Sequence, residues 1–304
     1  MNWAQARQIL RFKRIDPVPS TSTDAGDLGT DPLASVRATS ICIVSGKGGT
    51  GKSTVCASLS SMLARTGRTL VFDGDLGVAN AHILHDVHPE RTAVDALEGR
   101  CQLRDVVHPC GEQLDLIAGG SGYAQVAGLK MCELELLAAG LERLERQYRF
   151  LVVDAAAGLS HQTVEMAAAS DRVIVVTTPD VTAMTDAYAF LKVLVPRKPL
   201  SVPQLVINRV TCPEEADHAA RRIQRVSKKF LGFEPEWIAS LPEDRAAFRC
   251  TQRRMPVVRG EEDSELAVAL RDLTHGLLED IGRHHPRGLG RALLHRLREQ
   301  TRTA

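Results

Sequence analysis

Ten residues, Ser45 to Thr54, "SGKGGTGKST", constrain the fold of this chain more than any other stretch. They follow an apolar run, "SICIVS" (40–45), and lead into a helical pattern over 53–66. Within them Gly46-Lys47-Gly48-Gly49-Thr50-Gly51-Lys52-Ser53 fits G-x-x-x-x-G-K-[ST] in the strand–loop–helix context that gives the pattern its meaning. Glycines let successive amides converge on phosphate oxygens without Cβ clashes, and the helix that begins there adds the positive end of its dipole. Lys52 is then placed for β- and γ-phosphates and the Ser53 hydroxyl for Mg²⁺. Holding phosphate needs one lysine, so Lys47 calls for a separate explanation.

From about residue 38 the sequence alternates. Strand candidates are 40–45, 69–73, 114–119, 150–155, 172–178, 203–208 and 236–241, with helical patterns at 53–66, 131–147, 183–194, 214–230 and 264–282. Several strands are unbroken branched-aliphatic runs, as expected where both faces of a sheet are covered. The expected fold is therefore α/β, a doubly wound, mostly parallel sheet with helices on both faces and ligands at the carboxyl ends of its strands. Ahead of it lie a basic amphipathic segment (1–15) and a Pro/Ser/Thr/Asp/Gly-rich linker (16–38). The core domain is assigned to 39–283 and a separate C-terminal helix to 284–304.

Two strand candidates end in carboxylates. "LVVDAAAG" places Asp154 where a Mg²⁺-associated aspartate belongs, and "LVFDGDLG" places Asp73 and Asp75 two residues apart. In extended chain i and i+2 point to one side. Both can face the phosphate loop, one structuring it and one near an attacking water; the alternative for either is a turn cap.

Composition narrows the partners. The 304 residues carry a formal net charge of +1, which argues against a chain built for nucleic acid. Seven scattered cysteines without a CxxC pair predict reduced, structural thiols rather than a metal site. With no apolar leader and no membrane-length run, the expected location is cytoplasmic. His82, His85 and His88 follow at a spacing of three, and exposed helix-face histidines are favoured over a metal site.

At these motifs the sequence resembles the MinD/ParA family of P-loop ATPases, whose marker KGG-x-GK-[ST] stands here as "KGGTGKS". The resemblance spans roughly 40–275 and implies a slow ATPase, stimulated by a partner or a membrane. Its site is Gly46 to Thr54 with ATP and Mg²⁺, the metal held by Ser53, Asp154 and Asp75. It implies a role for Lys47 too: reaching the nucleotide of a second subunit in an ATP-dependent homodimer. Asp75, in "FDGDLGVANAHIL", is then the water-positioning residue, and Asn208, in "VINRV", reads adenine. Pro242, Glu243 and Asp244, in "LPEDRAAFRCTQRRMPVV", close over the base. "TTPDVTAMTDAYAFLKVL" and "IAGGSGYAQVAGL" resemble the FlhG (FleN) branch, which sets flagellar number and placement. That branch implies a protein partner such as an FlhF-like GTPase, a flagellar switch component or a transcription factor. The GTPase-activating motif D-Q-A-x-x-L-R is incomplete in "AQARQILR": Ala4 stands for aspartate, and the leucine and arginine fall one place late.

The tail, "RGLGRALLHRLREQTR" (287–302), sets Leu289, Leu293 and Leu297 at i, i+4 and i+8 among Arg291, Arg296, Arg298 and Arg302. Such a helix suits an anionic membrane surface, the role the resemblance also implies, at the inner face of the cell membrane. The other reading docks the leucines on the protein body. Division-site regulation and cargo positioning are the runner-up functions. A basic cluster, Arg221, Arg222, Arg225, Lys228 and Lys229, is the feature that would favour the DNA-bound cargo type.

Overall fold

The computed structural model describes residues 37–77, 79–120 and 128–303. The N-terminal amphipathic segment, nearly all of the linker and the "SGYAQVA" part of the FlhG-like stretch lie outside the described residues.

An eight-stranded sheet runs in the order β3-β4-β2-β5-β1-β6-β7-β8. Its strands are β1 (Thr39–Val44), β2 (Thr69–Gly74), β3 (Val107–Gly111), β4 (Leu114–Ile117), β5 (Phe150–Ala155), β6 (Arg172–Thr177), β7 (Gln204–Val210) and β8 (Glu236–Pro242). All pairings are parallel except β3 with β4. The inner strands are buried along their whole length because helices cover both faces, which explains their lack of polar alternation. The doubly wound α/β expectation is met.

The longer helices are α1 (Lys52–Ala64), α4 (Met131–Leu144), α5 (His161–Ala169), α6 (Val181–Leu194), α7 (Pro213–Leu231), α8 (Arg245–Gln252), α10 (Glu265–Ile281) and α11 (Leu289–Thr303). Three short turns, α2 (Ala81–Leu84), α3 (Ala93–Leu97) and α9 (Val257–Gly260), complete the numbering. One core joins one sheet face to α4, α6, α7 and α11, and a second joins the other face to α1 and α10. β3 is absent from the sequence reading because it is a half-exposed edge strand containing Pro109, with no apolar run to betray it.

Two boundaries need correction. Arg37 and Ala38, assigned to the linker, are buried: the Ala38 amide donates to the Glu145 carbonyl at 2.9 Å, and Arg37 Nη1 to Glu145 Oε1 at 2.7 Å. The helix expected over 284–304 spans Leu289–Thr303 and packs on the body. Leu289, Leu293 and Leu297 have no exposed surface and complete the core beside α4 and α5. Of the two readings of the tail, docking is the one seen here.

Polar contacts fix that docking. The Gly290 amide donates to Glu145 Oε2 at 2.9 Å, and a Cβ at Gly290 would lie 2.1 Å from the Glu142 nitrogen. Glycine is required there by close approach, not by φ. Arg296 Nε reaches Glu165 Oε2 at 3.2 Å, and the other Glu165 oxygen accepts from Arg197 at 2.6 Å. Among the described residues no helix is long and apolar enough to cross a membrane. Leu293→Ala should lower stability by about 2–5 kcal/mol, the usual loss for a buried leucine. Urea unfolding of the full chain checks it, since an undocked tail would lose almost nothing.

Candidate functional site

The glycine-rich loop leaves the carboxyl end of central β1 and ends in the first turn of α1. Gly49 and Gly51 take left-handed backbone, φ 81° and 86°, which a side chain would strain. Gly46 is demanded by its neighbour, because a Cβ there would lie 2.2 Å from the backbone of Asp186 in α6. Among the described residues, no protein oxygen accepts from the amides of Gly48 through Thr54. The Thr50 hydroxyl is likewise buried without a partner, and the space above Gly48 and Gly49 is open. A run of unclaimed donors at a helix N-terminus is the donor set that phosphate oxygens fill, so the residues fit a nucleotide.

Parallel register brings the acids together. Asp73 on β2 lies beside Asp154 on β5, and β5 lies beside β1. Lys52 forms a buried ion pair with Asp154. Burial opposes the lysine charge, but Asp154 and, more weakly, Asp73 outweigh it, and its pKa lies above the ordinary value. Burial and the Asp154 charge push Asp73 up to about 7, against the hydrogen bonds from Ala81 and Asp75 and the charge of Lys52. Asp73 also organises the loop that follows. It accepts from the amides of Asp75 (3.0 Å), Asn80 (3.1 Å) and Ala81 (3.0 Å). Asp75 is half-buried further along and accepts from Gly77 at 3.2 Å. Asp73 thus structures the loop after β2.

Lys47 turns away from this cluster. Its Nζ donates to Thr182 Oγ1, in the first turn of α6, at 2.8 Å. Beside it the Gly158 amide donates to the Ser45 carbonyl at 3.0 Å, placing the loop after β5 against the phosphate loop. Each neighbouring segment exposes one large aliphatic, Leu159 (46% exposed) and Val181 (59%).

The base-side candidates converge. Asn208, Pro242, Glu243 and Asp244 line one cavity of about 370 Å³ with Gly51 and Thr54. Asn208 Nδ2 donates to the Thr50 carbonyl at 2.7 Å, so one of its donors braces the loop. Asp244 caps α8 through the Ala246 amide at 2.8 Å, and Glu243 pairs with Arg209 at 3.0 Å.

Some contributors escaped the sequence reading. Thr182 and Asp186 lie beside and within the helical pattern at 183–194, and their approach to the loop is purely tertiary. Gly119 was legible in part: adjacent glycines after an apolar run signal close contact, and its Cβ would lie 2.4 Å from the Asp75 carbonyl oxygen. His85, expected on an exposed face, is instead buried with both ring nitrogens unpartnered among the described residues. No group of three His, Cys, Asp or Glu that could hold a metal occurs among those residues.

A family model for the CobQ/CobB/MinD/ParA nucleotide-binding domain matches residues 41–257. The chain belongs to this family. It is 31% identical over 240 residues to the flagellum site-determining protein YlxH of Helicobacter pylori, covering 78% of this chain and 81% of that one. To the antiactivator FleN of Pseudomonas aeruginosa it is 29% identical over 232 residues, covering 76% and 83%. Among solved structures, the septum site-determining protein MinD of Pyrococcus horikoshii, complexed with Mg-ADP, matches with a TM-score of 0.68. It is 26% identical and covers 81% of this chain and 98% of that one. The chain is thus a MinD/ParA-family P-loop protein that resembles the FlhG branch.

Burial and the nearby Arg259 charge lower the His85 pKa to about 4 from its ordinary 6.5. Between those values the unfolded chain binds more protons than the folded one, so stability falls as pH drops through that window. His85→Leu should flatten this acid-side slope, read from urea midpoints taken across the window.

Proposed function

We propose that the protein is an ATP-dependent dimerising switch that hydrolyses ATP slowly and regulates flagellar number or placement. The observation that carries the reading is Lys47: its ammonium leaves its own phosphate loop and lies at a surface flanked by exposed Leu159 and Val181. A cation there, ringed by unpartnered aliphatics, suits a second copy of the chain carrying its own nucleotide. The amides and glycines of Gly46, Gly48, Gly49 and Gly51, with Thr50 and Thr54, cradle the phosphates. Lys52 meets the β/γ oxygens, Ser53, Asp154 and Asp75 hold Mg²⁺, and Asn208 with Pro242 to Asp244 receives the base. Bound Mg²⁺ would offset phosphate charge. Asp75 orients the attacking water and Asp73 keeps its loop in place. Nucleotide binding exchanges the Lys52–Asp154 pair for contacts to phosphate and metal, which links site occupancy to the loops that carry Asp75 and Leu159.

The flagellar assignment draws on the likeness to YlxH and FleN, and the protein partner is taken to be of the same class: a GTPase, a switch component or a transcription factor. Membrane engagement at the inner face is a further expectation with a definite energetic condition. The three α11 leucines must leave their site, at a cost on the order of 5–9 kcal/mol for about 1.5–3 kcal/mol each. For the cargo-positioning runner-up, α7 presents its five basic residues on an exposed face, where Arg221 and Lys228 are paired with Asp217 and Glu234.

Lys47→Ala should abolish both ATP-dependent dimerisation and turnover while leaving nucleotide binding intact. Sedimentation with ATP and a phosphate-release assay read the two; unchanged behaviour in both would sink the reading. Deletion of the gene should alter flagellar number or position under the microscope and leave septa and chromosomes in place; a septum or chromosome defect instead would favour the runner-up.

A further inference from the structure

A second, strongly basic cavity lies at the opposite end of the sheet. Its volume is about 870 Å³, within the usual range for small-molecule sites. Thr39 at the start of β1 and Arg172 at the start of β6 line it, so it sits at the amino ends of strands whose carboxyl ends carry the phosphate loop. The length of β1 puts the two sites roughly 17 Å or more apart.

The wall brings cations from two parts of the molecule together. Arg37, Arg172 and Lys198 come from the body; Arg287, Arg291 and Arg296 come from the tail. Three of the six have acidic partners: Arg37 with Glu145 and, at 3.5 Å, Glu142, Arg172 with Asp280 at 2.7 Å, and Arg296 with Glu165. Lys198, Arg287 and Arg291 form no ion pair among the described residues. Neither acid in the wall forms an ion pair with those three cations. Asp171 accepts from the Ser40 amide and hydroxyl and from the Arg287 amide, and Glu299 lies 3.6 Å from His295. A further donor is buried in the same wall: Arg37 is only 7% exposed, and its Nε has no partner among the described residues. A buried orphan donor is costly unless a ligand or water satisfies it.

Docking the tail thus brings to one cavity three cations with no ion-pair partner among the described residues, beside a buried donor that none of those residues satisfies. We propose that this cavity binds a soluble polyanion carrying two or more phosphate groups, which bridges α11 to the body of the protein. A single phosphate would fill little of a cavity of that volume. Arginine offers phosphate a bidentate fork, and the exposed Lys198, Arg287 and Arg291 give the entering anion open access. Binding and docking are then reciprocally linked: the anion holds α11 down, and a docked α11 completes the site. The inference does not depend on the flagellar role, and it concerns a site distinct from the nucleotide loop.

The test uses the full chain carrying Lys52→Ala, which removes the phosphate-loop lysine, with inorganic pyrophosphate as the probe. Calorimetry should detect pyrophosphate binding in this background. Adding Lys198→Ser and Arg291→Ser should weaken it about tenfold or more, as the loss of two charge-assisted contacts implies. Adding Arg221→Ser and Arg222→Ser, on α7 away from the cavity, should leave it unchanged. Hydrogen exchange over 289–303 should slow with pyrophosphate, and only while Lys198 and Arg291 are intact. No binding in the Lys52→Ala background would overturn the proposal, as would equal weakening by both pairs of substitutions. Phosphatidylglycerol vesicles give the second arm. Vesicle binding that needs Lys198 and Arg291 while exchange stays slow would assign the phosphate to a lipid headgroup; vesicle binding with fast exchange and no pyrophosphate effect would overturn the bridge.

Discussion

The buried pair of Lys52 and Asp154 is the contact on which the site depends. It joins the first residue of α1 to the end of β5, one strand away from the β1 terminus that launches the loop. A lone ammonium or carboxylate at that depth would be prohibitively expensive, so each charge is tolerable only because of the other. Asp73, beside Asp154 across the strand pair, adds a second carboxylate and is pushed up to about 7. With two acids and one lysine, the cluster has room for more positive charge. That is the electrostatic condition for attracting a metal together with its phosphate ligand.

Much of this was legible because it is local. The loop lies within ten residues and its glycines answer to backbone geometry, and the strands announce themselves as continuous apolar runs. What stayed hidden is tertiary. Gly46 reads as one more loop glycine until Asp186 is found against it. Spacing alone left Asp73 and Asp75 open to either role and only the resemblance singled out Asp75; the three amides converging on Asp73 are a tertiary fact. β3 carries no pattern because an edge strand with a proline needs none. His85 looked exposed because spacing places residues on a helix but says nothing of what covers it.

The tail shows the same limit more sharply. An amphipathic helix reports one apolar face and is silent on whether lipid or protein covers it. Here the distinguishing signal was not the leucines but the glycines around them. Gly288 and Gly290 lie where a Cβ would run into Glu145 and Glu142, and a helix lying on lipid has no need of such clearance at its start. Acidic partners for Arg296 and for the Gly290 amide, at Glu165 and Glu145, are far away in sequence and so could not be read from it.

The two ends of the sheet therefore pose opposite electrostatic problems. At the carboxyl ends, acids gather around one lysine beneath a loop whose amides are unclaimed. At the amino ends, the docked tail brings Arg287 and Arg291 beside Lys198, three cations with no ion-pair partner among the described residues. In a sheet this rigid, charge cannot be relieved by moving strands, only by moving what lies on them: the loops after β2 and β5 at one end, α11 at the other. Leucine burial and the contacts of Gly290 and Arg296 with Glu145 and Glu165 hold α11 down, while Arg287 and Arg291 stay without an ion-pair partner among the described residues. An anion that bridges them to Lys198 would add a further electrostatic contact across the seam. A modest ligand can in that way bias a helix whose apolar contacts alone would make it immovable.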